Sequence, residues 1–207
     1  MPPHALITDD YGGACLDFNY EFINNCHYDA AGRLLKHIYG HLNSRSSTPR
    51  GSVLEFDQSE FTDGVNPKSI GLADTGYVYV PTACLPQTCR VHVVFHGCLQ
   101  YAGNPKVKRA VVEHGGYNKW AATNKLIVLY PQTIATNDPN EPFDPNLPGN
   151  PKGCWDWWGY SPLPRNNEYA RKPGYQISAI RAMLERLAVG FVAGGSSDTF
   201  GPPQNAR

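Results

Sequence analysis

No apolar run in this 207-residue chain approaches the roughly 18 residues that a membrane-spanning helix needs. Charge of either sign is also scarce. Only 17% of residues are Asp, Glu, Lys or Arg, and eighteen basic residues balance eighteen acidic ones. A formal charge of zero gives no general electrostatic grip on nucleic acid or on an anionic lipid surface, so neither is an expected partner. The start, Met1-Pro2-Pro3-His4-Ala5, lacks the basic residues and apolar stretch of a secretory signal. No internal repeat is visible. Twenty glycines and eighteen prolines imply long ordered loops and fall short of low-complexity composition. What remains is 41% hydrophobic and 12% aromatic, enough for one domain with a sizeable core.

Six cysteines fall as two close pairs, Cys15/Cys26 and Cys84/Cys89, and one distant pair, Cys98/Cys154. Sequence alone leaves all fifteen connectivities open. Structural zinc is the rival reading, though neither close pair has the two-residue spacing of a zinc knuckle. Disulfides imply an oxidising compartment, which sits awkwardly with a start that carries no export signal.

Periodicity places the elements. Residues 1 to 28 read as loop. Asp29 is a helix cap, and Ala31, Leu34, Leu35, Ile38 and Leu42 recur at helical spacing in a helix fading near Ser44. Val53 to Phe56 and Gly76 to Val80 are short strands. Arg90 to Phe95 and Leu126 to Tyr130 read as buried strands joined by a helix over Gly116 to Lys125, a βαβ unit that predicts a parallel sheet with helices on its faces. Tyr175 to Phe191 is the clearest helix, with Ile177, Ile180, Leu184, Leu187 and Phe191 on one face. Residues 193 to 207 read as a flexible tail.

Sites on such sheets lie beyond the carboxyl ends of the strands, here around His96-Gly97-Cys98 and Tyr130-Pro131-Gln132. A strand ending in His-Gly is one way to build an oxyanion hole, with Cys98 supplying the backbone N-H. The alternative is a plain turn with a capping imidazole. His37 and His41 lie four residues apart on the first helix, but no third ligand motif joins them, so no metal is expected. From Thr133 to Tyr169 the chain is rich in Pro, Asn and Gly around Cys154-Trp155-Asp156-Trp157-Trp158-Gly159-Tyr160. An excursion that long favours function, and Trp155, Trp157 and Trp158 can line a groove for an apolar or polymeric ligand.

Several segments together resemble one family. Asn25-Cys26-His27-Tyr28-Asp29-Ala30-Ala31-Gly32, Gly76-Tyr77-Val78-Tyr79-Val80-Pro81, His96-Gly97-Cys98-Leu99-Gln100, Gly116-Tyr117-Asn118-Lys119-Trp120-Ala121, Leu129-Tyr130-Pro131-Gln132 and Gly153-Cys154-Trp155-Asp156-Trp157-Trp158 look like the secreted poly(3-hydroxybutyrate) depolymerases. The resemblance runs in order from about His4 to Phe191. It implies an α/β fold of the circularly permuted α/β-hydrolase type, a mostly parallel sheet flanked by helices, with residues 1 to 192 forming part of the catalytic domain. It implies serine-type hydrolysis of a polyester, with no cofactor. It further implies His4 as the triad base, the Cys98 N-H in the oxyanion hole, Gln100, Trp155, Trp157 and Trp158 at the substrate, and disulfides Cys15/Cys26, Cys84/Cys89 and Cys98/Cys154.

The chain departs from the family in one respect. It contains no Gly-x-Ser-x-Gly, and nothing before His4 matches the family's nucleophile strand or acid loop. Ser196-Ser197-Asp198 follows the last helix with no strand before it. The resemblance therefore predicts the C-terminal portion of a longer extracellular depolymerase, with a partner in the missing N-terminal portion and little activity on its own. A non-catalytic module that keeps the aromatic groove, and a related acetyl or feruloyl carbohydrate esterase, are the rival readings.

Overall fold

The computed structural model describes residues 4–85, 89–161 and 168–188. Its centre is a four-stranded sheet in the order β4-β5-β7-β6, comprising β4 (Gly51–Asp57), β5 (Thr75–Pro81), β6 (Arg90–Val93) and β7 (Leu126–Tyr130). All five residues of β7 are buried because it has a strand on each side and helices on both faces. Leu126, Val128 and Tyr130 point to one core and Ile127 and Leu129 to the other, the alternation that a pleated strand imposes.

The first core packs α1 (Ala30–Tyr39), α2 (Ala110–His114) and α3 (Tyr117–Asn124) on one face, through Leu35, Val111, Trp120 and Ala121. The second packs α4 (Tyr175–Ala188) on the other, through Ala179, Ile180, Met183 and Leu187. This is the expected α/β layering. The βαβ unit is present, since β6 and β7 are parallel neighbours, Arg90 opposite Leu126 through Val93 opposite Leu129. In this sheet parallel pairing stops there. β4 and β5 form an antiparallel hairpin and β5 meets β7 antiparallel, so the sheet is mixed.

Other expectations change in detail. Residues 1 to 28, read as loop, contain a small parallel sheet in the order β1-β3-β2, of β1 (Leu6–Thr8), β2 (Gly13–Ala14) and β3 (Ile23–Asn25). Strands of two or three residues, one of them Ile-Asn-Asn, are too short to show a period. Helix α1 stops at Tyr39 because Gly40 turns away with φ 75°. Its buried residues are Ala31, Gly32 and Leu35, whereas Leu34 and Ile38 face solvent. Helix α4 is rotated likewise. Ile177 is exposed, and Gln176, Ala179 and Met183 are buried in the face expected of it. Phe191, residues 193 to 207 and Ser196-Ser197-Asp198 lie outside the described residues.

The three disulfides are Cys15–Cys26, Cys84–Cys89 and Cys98–Cys154, and no cysteine is free among the described residues. The pairing implied by resemblance therefore holds.

Candidate active site

The carboxyl ends of β6 and β7 open into two loops that grip one another. Val94 still donates its N-H to Leu129 O at 2.9 Å, after which the chain leaves the sheet. Phe95 swings outward, 54% exposed, while His96 turns in at 4%. The His96 ring is consumed by structure. Nδ1 donates to Gly97 O at 2.8 Å and Nε2 accepts the Thr133 N-H at 3.2 Å, which fixes the neutral tautomer. Burial lowers its pKa to about 4, against a smaller opposing effect of the Gly97 carbonyl. His96 is thus the capping imidazole of the turn, with no free nitrogen to act as a base.

The turn that follows is held on every side. The Gly97 N-H donates to Gln100 Oε1 at 2.9 Å, the Leu99 N-H to Lys152 O at 2.7 Å and the Gln100 N-H to Gly97 O at 3.0 Å. Asn104 Nδ2 caps the Leu99 carbonyl at 2.6 Å, and the disulfide ties Cys98 to Cys154. Leu99 itself is held in the left-handed region at φ 66°, a conformation that persists in a non-glycine residue only when its surroundings demand it. Among the amides of this turn, that of Cys98 has no acceptor among the described residues, and Cys98 is exposed. An uncommitted N-H held in a fixed turn is the requirement for stabilising developing negative charge.

Trp155 joins the aromatic loop to this turn. Its Nε1 donates to His96 O at 2.9 Å, and its ring stands edge-on to Phe95 with centroids 4.9 Å apart. The loop is fixed from behind. Asp156 accepts the N-H groups of Gly159, Tyr160 and Ser161, Asn150 brackets Cys154 by bonds to its N-H and C=O, and the Tyr160 hydroxyl donates to Cys154 O at 2.7 Å. Burial raises the Tyr160 pKa, so the hydroxyl stays a neutral linker. On this backing Trp157 is 71% exposed and Trp158 41%, their centroids 5.0 Å apart.

Of the expected site residues, Cys98, Gln100 and Trp155 converge on one turn, and Trp157 and Trp158 stand on the same loop as Trp155. Gln100, expected beside the tryptophans at the substrate, lies inside the protein. Its carboxamide is buried and bonded within the protein. His4 is exposed, two residues before β1. His37 and His41 are exposed, and no group of three or more His, Cys, Asp or Glu among the described residues is placed to hold a metal. The framing roles of Thr133, Asn150 and Asp156 escaped sequence reading because polar loop residues have no period to betray what they bond to.

No family profile matches the chain. A poly(3-hydroxybutyrate) depolymerase of Delftia acidovorans is 42% identical over 194 residues, 90% of this chain and 34% of that protein. A polyhydroxybutyrate depolymerase of Talaromyces funiculosus is 39% identical over 194 residues, 91% of this chain and 54% of that protein. Among solved structures, a serine-to-alanine PHB depolymerase complexed with an R3HB trimer superposes with a TM-score of 0.77 at 37% identity, over 92% of this chain and 58% of the other. The PHB depolymerase of Penicillium funiculosum gives 0.76 at 36% identity over the same shares. The chain thus spans about a third to rather more than half of the length of the relatives it matches.

Proposed function

We propose that this chain, which is similar in sequence and fold to the poly(3-hydroxybutyrate) depolymerases, supplies the histidine, one oxyanion donor and the aromatic substrate wall of an extracellular polyester esterase. The serine and acid come from residues outside these 207. In the reaction a serine Oγ attacks the ester carbonyl while His4 takes its proton. The oxyanion that forms accepts the Cys98 N-H, and His4 returns the proton to the leaving alkoxide to give an acyl-enzyme. Water, deprotonated by His4, then releases the acid and restores the serine. The tryptophans of residues 155 to 158 hold the chain of the polymer beside the turn.

The observation that carries this reading is the Cys98 amide, which has no acceptor among the described residues while the N-H groups of Gly97, Leu99 and Gln100 around it are committed. The sheet edge supports it. β6 pairs only with β7 among the described residues, so its outer edge is open to a further strand, the natural position for a nucleophile strand beside the turn. Exposed Trp157 and Trp158 also support the narrower reading of a polymer-binding module without chemistry. Three disulfides support an oxidising, extracellular setting.

The test is to incubate the purified 207-residue protein with 3-hydroxybutyrate oligomers and, separately, with a poly(3-hydroxybutyrate) film. No turnover sensitive to a serine-reactive inhibitor is expected, together with retention on the film that falls when Trp157→Ala and Trp158→Ala are combined. Inhibitor-sensitive turnover would overturn the placement of the serine elsewhere, and retention indifferent to both substitutions would overturn the aromatic wall.

A further inference from the structure

Gln100 is 8% exposed, and every polar atom of its side chain is engaged. Oε1 accepts the Gly97 N-H at 2.9 Å, while Nε2 donates to Phe22 O at 2.9 Å and to Glu21 O at 3.2 Å. The same Phe22 carbonyl accepts the Leu6 N-H at 2.7 Å. One carboxamide therefore spans from the turn carrying the Cys98 amide to the first residue of β1, two residues after His4. The peptide units at both ends are in demanding conformations, Leu99 at φ 66° and Phe22 at φ 53°, which non-glycine residues keep only where neighbours hold them. Packing alone does not call for an amide here. A methionine or leucine fills the same space without the cost of burying a donor and an acceptor, so it is the pair of opposite bonding capacities that the site uses.

We infer that Gln100 is a positioning residue that sets the His4 segment and the Cys98 amide in register with each other. It touches neither the substrate nor the reacting atoms. Its Oε1 holds the His96–Gly97 peptide, one unit before the peptide that bears the Cys98 N-H, and its Nε2 orients the Phe22 carbonyl on which Leu6 is anchored. Its catalytic consequence rests on the esterase reading above, whereas the tie itself is a property of these 207 residues.

The experiment is nuclear magnetic resonance on the isotope-labelled 207-residue protein, unaltered and with Gln100→Leu or Gln100→Glu, following the amides of Leu6, Gly97 and Cys98 and the His4 ring. Gln100→Leu removes both ends of the tie, so all four signals are expected to shift. Gln100→Glu keeps an acceptor for Gly97 but loses the donor to Phe22 once ionised. At neutral pH the Leu6 and His4 signals should therefore move much further than those of Gly97 and Cys98. On acidification the introduced carboxyl gains a proton and can donate to Phe22, so the Leu6 and His4 differences from the unaltered protein at the same pH should shrink. A side chain that merely fills space gives no such return. Leu6 and His4 signals that stay put in both variants, or both ends shifting alike with no recovery in acid, would overturn the inference. So would rapid exchange of the Gln100 Nε2 hydrogens in the unaltered protein, a measurement that stands even if a variant does not fold. Loss of this tie leaves film retention through Trp157 and Trp158 intact, and failure of the esterase reading leaves these signals intact, so the two failures are distinguishable.

Discussion

His96 carries a charge liability that the fold pays for in acid. Its folded pKa is lowered by burial to about 4 from 6.5. Between those values the unfolded chain binds a proton that the native protein refuses, so stability is complete above about pH 6.5 and is lost as pH falls toward 4. The full effect amounts to about 3 kcal/mol at 1.36 kcal/mol per unit. Urea midpoints measured at pH 7 and pH 4.5 are expected to differ accordingly, and most of that difference should vanish in His96→Asn. An unchanged difference in the variant would assign the acid sensitivity to other groups. The position of this residue was legible, since an apolar strand followed by His-Gly marks a site-bearing turn, although that strand is a half-exposed edge strand and not the buried one expected. Its role was settled only by Thr133 and Gly97, whose N-H and C=O occupy the two ring nitrogens. Gln100 was less legible still. Its meaning depends on the Phe22 carbonyl, 78 residues away in sequence, and no local pattern encodes a bond of that span.

At the scale of elements, helix α1 shows how one side chain joins two layers. Asp29 caps the helix, its Oδ1 accepting the Gly32 N-H at 2.8 Å, while its Oδ2 accepts the Nε1-H of buried Trp120 on α3 at 2.9 Å. Arg45 lies 3.5 Å from the same carboxylate. Asp29→Ala loses a cap, about 1 kcal/mol, and orphans a buried indole N-H, about 1 to 3 kcal/mol. A loss of about 2 to 4 kcal/mol in unfolding free energy is expected. Asp29→Asn can keep the cap oxygen but presents an amide to Trp120, so its loss should be smaller, and chemical denaturation of the pair separates the two contributions. A carboxylate that only capped would leave Asp29→Asn close to the original stability. The cap itself was readable from the sequence, as were β4, β5 and β7, where hydrophobic residues recur at period two or fill a short run. The apolar faces of α1 and α4 were read a step out of place. Buried Gly32 on α1 and buried Gln176 on α4 do not register as apolar, so the visible leucines and isoleucines drew each face toward solvent.

For the molecule as a whole, zero formal charge and a pair of projecting tryptophans make a specific demand on the polymer binding proposed for it. An uncharged polyester offers no counterion to release, and burial of apolar surface contributes roughly 25 cal/mol per Å² whatever the ionic strength. Raising sodium chloride from about 0.01 M to about 1 M shortens the screening length from roughly 30 Å to roughly 3 Å, which strips proteins held by charge. Retention of this chain on poly(3-hydroxybutyrate) film is therefore expected to stay level or rise across that range, while Trp157→Ala combined with Trp158→Ala lowers it at every salt concentration. The double substitution should do so without shifting the urea midpoint, because Trp157 is 71% exposed and Trp158 41% and Asp156 braces the loop through the backbone N-H groups of Gly159, Tyr160 and Ser161, none of which the change removes. Elution by salt would instead assign adhesion to the scattered ion-paired residues of the surface, such as Arg109 with Glu113 or Arg181 with Glu185, and would leave the aromatic loop without a role in holding the substrate.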